Sequence, residues 1–400
     1  MYDKAKDQVN RARDKAGAAL KWYSLRKQAV HGWAHVALPL ALLVSLIAIK
    51  SSGWEWAENL QNRAFDAFVR MKPRVYRPVP VRVLDIDDES LSRLGQWPWP
   101  RTLLARLVEK LGASGAAAIA FDAVFAEPDR TSPASVIASW PAIPEVLALK
   151  RAGDRLPDND RSFARAVRGA AVVAGFTLTE TPNGADPMAK ASFAYGGGDP
   201  APWLRPDFPG AVVNLPEIER AAAGNGSFSF MPEPDGVVRR VPLLFLKGGR
   251  ILPSLVLEAL RVAQGASGYQ IKSSGASGET GGNTGISRVK AGEFVIPTDG
   301  SGKVWVYPTA EAPERTLPAW RVLEKDFNPE AVRGTILFVG TSAAGLKDLR
   351  VTALDPRAPG VDVHANAAEQ IMLGDYLERP DWAAGAEIVY MLLLGGLLVA

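Results

Sequence analysis

VRVLDIDDESLSRLGQWPWPRTLLARLVEKLGASGAAAIAFDAVF (Val81–Phe125) decides how the chain folds. Its first part, VRVLDIDD (Val81–Asp88), alternates, then turns apolar, and ends in acids, as a buried strand does. In TLLARLVEKLG (Thr102–Gly112), Leu103, Leu104, Leu107, Val108 and Leu111 fall on one helical stripe, and Gly112 is a stop signal. AAAIAFDAVF (Ala116–Phe125) is a second apolar strand. Strand, helix and strand within about 45 residues form a βαβ unit, which places the two strands parallel in one sheet.

Downstream, the helix-like NDRSFARAVRG and the strand AAVVAGFTL (Ala170–Leu178) continue the pattern. Residues 181–213 are rich in Pro and Gly and read as loop. VVRRVPLLFL (Val237–Leu246) and a turn at Gly248–Gly249 feed the helix PSLVLEALRVA (Pro253–Ala263), and the Gly/Ser-rich stretch 265–285 reads as a flexible loop. EFVIP, KVWVYP and TILFVG are short strands, and PGVDVHANAAEQIML (Pro359–Leu373) is a helix. The expected fold is α/β, a mostly parallel sheet with flanking helices and a loop-rich insertion, anchored by transmembrane helices.

Upstream, WAHVALPLALLVSLIAI (Trp33–Ile49) holds no charge, and Trp33 and Trp54 mark its ends. Residues 1–32 carry eight Lys/Arg against three Asp, a balance of +5 that leaves the rest of the chain at −2 of the total +3. The positive-inside rule then makes 1–32 a cytoplasmic basic tail, 33–53 a membrane helix, and 54–380 an extracytoplasmic domain. The apolar run Ile388–Ala400 reads as the start of a second span over 384–400, with any output domain expected beyond residue 400. In 54–72, Leu60, Ala64, Phe68 and Met71 share one face of a helix leading from the membrane. A near-neutral body argues against nucleic acid as partner, and the absence of Cys excludes disulfides, zinc thiolates and thiol catalysis.

DIDDESLSRLGQWPWPR (Asp85–Arg101) strongly resembles the start of CHASE type-two domains, sensory extracellular modules associated with cyclases and histidine kinases. IAFDAVFAEPD (Ile119–Asp129), DGVVRRVPLLF (Asp235–Phe245), VGTSAAGLKDLRVTALD (Val339–Asp355) and PGVDVHANAAEQIMLGDYL (Pro359–Leu377) follow in the family's order, so the resemblance covers roughly 60–379. It implies a periplasmic sensor of the bacterial inner membrane, flanked by spans and driving a cytoplasmic output such as a nucleotide cyclase, histidine kinase or Ser/Thr kinase; a homodimer is the expected design, since the helix at 54–72 could pair with its partner.

Among the candidate site residues, Asp85 and Asp87 sit at the carboxyl end of the first strand and Asp122 lies within the second, and open parallel sheets bind their ligands beyond such ends. Asp85, Asp87 and Asp122 either ligate a divalent cation through oxygen or cap helices and accept loop N–H groups. Trp97, Trp99 and Arg101 of WPWPR either hold a ligand, with Arg101 clamping a carboxylate or phosphate, or pack a turn with Arg101 paired to an acid such as Asp87. Gly340, Thr341, Ser342 and Asp348 belong to a small-residue loop able to cradle an anion, without the Gly-Lys-Ser/Thr ending of a P-loop. His364 is either a hydrogen-bonded structural residue or a ligand contact. No catalytic set is visible and no cofactor is expected beyond that cation. The expected function is sensing of a small ligand or ion. A metal-dependent extracytoplasmic hydrolase and a ligand-free assembly module of a sensor kinase are the rivals.

Overall fold

The computed structural model describes residues 17, 21–22, 37–49, 55–151, 155–274, 285–310, 312–346, 348–379 and 382–399. The expected basic tail therefore lies outside the described residues apart from positions 17, 21 and 22, as do 33–36 and 50–53 of the expected first span. The chain divides into two compact units, Phe65–Glu378 and Met1–Ala64 with Arg379–Ala400.

In Phe65–Glu378 the apolar runs become a seven-stranded sheet: β1 (Val81–Asp85), β2 (Ala118–Phe121), β3 (Val172–Thr179), β4 (Gly210–Val212), β5 (Gly224–Ser227), β6 (Thr316–Pro318) and β7 (Ile336–Gly340). Their order is β6-β1-β7-β2-β3-β4, with β5 also paired to β3. Every pairing is parallel except β3 with β4. β7, from late in the chain, inserts between the two strands of the βαβ unit, matching Gly340 to Asp85 and Val339 to Phe121. The carboxyl ends of β1, β7 and β2 therefore finish level.

Period-two alternation sends neighbouring side chains to opposite faces. Val81, Val83, Ala120, Ile336 and Phe338 pack with Leu257 and Leu260 of α5 (Leu255–Ala263) and with Val361 and Ala365 of α6 (Gly360–Leu373). Leu84, Ile119, Phe121, Leu337 and Val339 pack instead with Leu104, Leu107 and Leu111 of α3 (Arg101–Ala113) and with Phe163 and Val167 of α4 (Asn159–Arg168). Burying each large side chain contributes about 1.5–3 kcal/mol.

Away from this sheet the mostly parallel expectation fails. Gly268–Ser273, Ile286–Ala291 and Phe294–Pro297 are antiparallel neighbours, as are Leu244–Lys247 and Arg250–Pro253, so the fold is mixed α/β with several sheets. Gly268–Ser273 also corrects the flexible-loop reading of 265–285, of which 275–284 lie outside the described residues. Its Tyr269, Ile271 and Ser273 point inward, an alternation masked by the surrounding Gly and Ser. Ser192–Gly196 and β4 likewise fall within the expected loop 181–213.

The structure gives the transmembrane expectation no support: among the described residues no helix is long and apolar enough to cross a membrane. α7 (Ala383–Val399) and the described helical residues 37–49 are both apolar. In this unit a Cβ at Gly395 would meet the Leu43 side chain at 2.7 Å, so the two apolar helices touch there.

α1 (Glu55–Met71) carries Asp66, which is held by a buried arginine. Arg239 donates to both Asp66 oxygens at 2.7 Å and to both Asp235 oxygens at 2.9 and 2.7 Å. Arg239 is thus a buried structural tie. The adjoining strand Val237–Val238 pairs with β8 (Leu349–Thr352), which borders the site described next. Arg239→Met leaves Asp66 buried without its cation, so urea melts should show a loss of about 3–5 kcal/mol, largely regained in Asp66→Leu/Arg239→Met. An unchanged midpoint in the single variant contradicts the tie.

Candidate functional site

The level ends of β1, β7 and β2 open into a cleft of about 550 Å³. Trp97, Trp99, Arg101, Asp122, Thr341 and Asp348 line it, six of the eleven residues singled out from the sequence. Phe125, Glu127, Asp129, Arg130 and Phe228 complete the walls.

The other five candidates build the cleft from behind. Asp85, closing β1, accepts from Ser342 N at 2.9 Å and Ser342 Oγ at 2.6 Å. Burial raises the Asp85 carboxyl above its usual range, and the Ser342 bonds oppose that rise. Thr341 Oγ1 donates to the Ile86 carbonyl at 2.9 Å. The small-residue loop thus turns both hydroxyls onto the end of β1 and the residue after it. Gly340 serves packing: a Cβ there would meet Val361 Cβ at 2.5 Å, so only Gly lets β7 lie this close to α6. Asp87 caps α2 (Asp88–Leu94), accepting from Ser90 N at 2.7 Å. Among the described residues no three His, Asp, Glu or Cys gather into a group able to hold a metal ion. Asp85, Asp87 and Asp122 therefore do not form such a group, and Asp85 and Asp87 accept loop and cap hydrogen bonds.

Trp99 is buried and anchored by Nε1 donating to the Gly95 carbonyl at 2.7 Å, while half-buried Trp97 meets it edge-on at 5.7 Å. Arg101 does not pair with Asp87. Its Nε donates to Asp160 at 3.2 Å, its Nη2 to the Glu127 carbonyl at 3.2 Å, and its guanidinium lies 4.5 Å over the Phe125 ring. Its backbone N donates to Asp129 at 2.8 Å, and Asp129 also accepts from Thr131 and Asn159. These bonds hold the loop after β2 as a fixed wall and leave Arg101 occupied. Neither Asp129 nor Asp160 was singled out from the sequence, because nothing local marks a partner 28 or 59 residues away.

The floor is different. Asp122 follows β2 with its side chain 3% exposed, and His364 of α6 is 1% exposed, with 3.9 Å between Oδ2 and Nε2. Asp122 Oδ2 and both His364 ring nitrogens are buried without a hydrogen-bond partner. The imidazole stacks on Phe230 at 4.5 Å. Arg350 is matched by Asp348 at 2.8 Å and lies 5.3 Å over Phe230. Burial, with Asp348 adding to it and Arg350 opposing, holds the Asp122 carboxyl well above the usual range. Burial and Arg350 push His364 down to about 3, against the Phe228 backbone. Each buried group left without a partner costs about 1–3 kcal/mol, and this floor holds three such atoms.

The two shifts act oppositely on stability. A carboxyl raised by folding loses stability as pH rises from 3.8 toward its folded value, and a histidine lowered by folding loses it as pH falls from 6.5 to about 3. In the native chain the two slopes offset. Asp122→Asn exposes the histidine slope, so the melting temperature should fall as pH drops from 6.5 toward 4. His364→Gln exposes the carboxyl slope, so it should fall as pH rises above 4. Each slope is at most about 1.4 kcal/mol per pH unit. Parallel pH profiles for the two variants contradict the assignment.

No curated protein and no solved structure matches the chain. The CHASE2 domain matches residues 40–399, nearly the whole chain, with the cleft inside the matched span. The chain therefore belongs to the CHASE2 domain family, a family of extracellular sensory domains.

Proposed function

We propose that the chain is the extracytoplasmic sensory region of a bacterial inner-membrane receptor, and that the cleft at the strand ends binds its small ligand. The observation that carries this reading is the unsatisfied Asp122 carboxyl on the floor of a ligand-sized cleft between fixed walls. A ligand that supplies its missing partner distinguishes the filled from the empty domain, as a sensor requires. The hydrolase reading lacks a metal-holding group among the described residues.

Membrane attachment is part of the proposal. Leu38, Leu42, Val44, Val389, Leu393 and Leu397 are exposed on the two apolar helices, an arrangement that lipid would cover. The basic tail before the first helix supports a cytoplasmic N-terminus and a periplasmic cleft. Leu60, Phe68 and Met71 lie exposed on α1, a face suited to pairing in a homodimer. A nucleotide cyclase is the cytoplasmic output that the family resemblance supplies.

The test is a melting-temperature screen of the 400-residue chain in detergent against ions, nucleotides, organic acids, amines and sugars. A true ligand at about 100 times its Kd stabilises the folded chain by about 2.7 kcal/mol. That gain should vanish in Asp122→Asn and survive in Arg168→Ala, which lies outside the cleft. Saturable ligands indifferent to cleft substitutions, or none at all, overturn the proposal in favour of the assembly module.

A further inference from the structure

The charges around the cleft do not balance. Four acids line it, Asp122, Glu127, Asp129 and Asp348, against Arg101 and Arg130. Asp129 is satisfied by Thr131, Asn159 and the Arg101 backbone, and Asp348 by Arg350. Arg101 is spent on Asp160 and the Glu127 carbonyl. What remains is Asp122 on the floor, more than nine-tenths buried and without a partner on Oδ2, and an exposed Glu127 on the wall. Against them stands only Arg130, exposed to solvent.

The walls are aromatic. Trp97, Trp99, Phe125 and Phe228 face the cleft, and ring faces attract cations, most strongly where water is excluded. A buried carboxyl lacking a donor, an excess of acid and a set of rings call for the same ligand chemistry: a positive charge that carries N–H groups. A carboxylate or phosphate finds only the solvent-exposed Arg130 guanidinium, because Arg101 already has its partners.

Building on the receptor reading, we infer that the cleft selects a small organic cation bearing a primary amine, with the Asp122 carboxyl taking the ammonium and the Trp97 side of the cleft covering its alkyl part. Binding favours the ionised form of Asp122. Since Asp348, Arg350 and His364 face that carboxyl and the ammonium keeps its charge, amine affinity rises with pH across the range where Asp122 ionises.

The test uses three probes of one size, butylamine, butanol and butyrate, titrated into the 400-residue chain in detergent at constant ionic strength and followed by calorimetry. Butylamine should bind saturably, while butanol and butyrate do not bind over the same range. Asp122→Asn should weaken butylamine at least tenfold, and Trp97→Ala several-fold. On the alkaline plateau of the affinity, where Asp122 is already ionised in the empty cleft, Arg350→Met leaves Asp348 without its counter-charge beside Asp122 and should tighten butylamine several-fold, a gain that a misfolded variant cannot mimic. Saturation by butyrate alone, equal binding of butanol, or amine affinity unmoved by both Asp122→Asn and Arg350→Met overturns the inference. A different class of ligand that depends on the cleft residues also ends it while leaving the receptor reading intact. The absence of any cleft-dependent ligand ends both.

Discussion

Helices cover the central sheet on both faces, so β1, β7 and β2 carry apolar side chains along most of their length and polar chemistry is confined to where they end. That constraint places Asp85, Gly340 and Asp122 at one edge, level with one another. Everything around the cleft elaborates this edge. The Asp85–Ser342 bonds draw the loop after β7 over the end of β1, and the Arg101, Asp129 and Asp160 contacts draw the loop after β2 against the start of α3. Two loops from strands far apart in sequence thereby become the walls of one cavity.

The walls and the floor differ in their hydrogen-bond accounting. In the walls nearly every buried donor has an acceptor, which makes them rigid. On the floor, Asp122 and His364 are buried side by side without partners, and burial shifts both toward their neutral forms in opposite directions. Groups kept in this state are common where a protein binds something, because a ligand recovers what the fold leaves unmet. Behind the floor, Arg350 lies on β8, which is paired to the strand preceding Arg239, so the site and the Asp66 tie share one short stretch of backbone.

Much of this edge was legible in the sequence. The βαβ unit, the strand ending in Asp85 and the helix bearing His364 follow from local patterns of apolar spacing and stop signals, which is why six candidates meet in one cleft. What failed was non-local. The partner of Arg101 is 59 residues away, and the bonds that occupy Ser342 reach 257 residues back to Asp85. No periodicity reports such distances. The strands inside 181–213 and 265–285 were hidden because Gly, Ser and Pro dominate those stretches, and their pairing comes from partner strands, not from their own propensity. The expected spans rested on hydropathy, interfacial Trp and flanking charge, and among the described residues no helix is long and apolar enough to cross a membrane.

The account turns on a carboxyl that the fold buries without a partner, and infrared difference spectroscopy reads that carboxyl directly. A spectrum of the native chain minus that of Asp122→Asn, taken near pH 6 where ordinary carboxyls are ionised, isolates the Asp122 band. The account predicts a protonated-carboxyl stretch at that pH, replaced by the carboxylate stretch when the cleft fills with butylamine. A carboxylate band in the empty protein would mean that Asp122 already has its counter-charge, and would contradict the reading of the cleft given above.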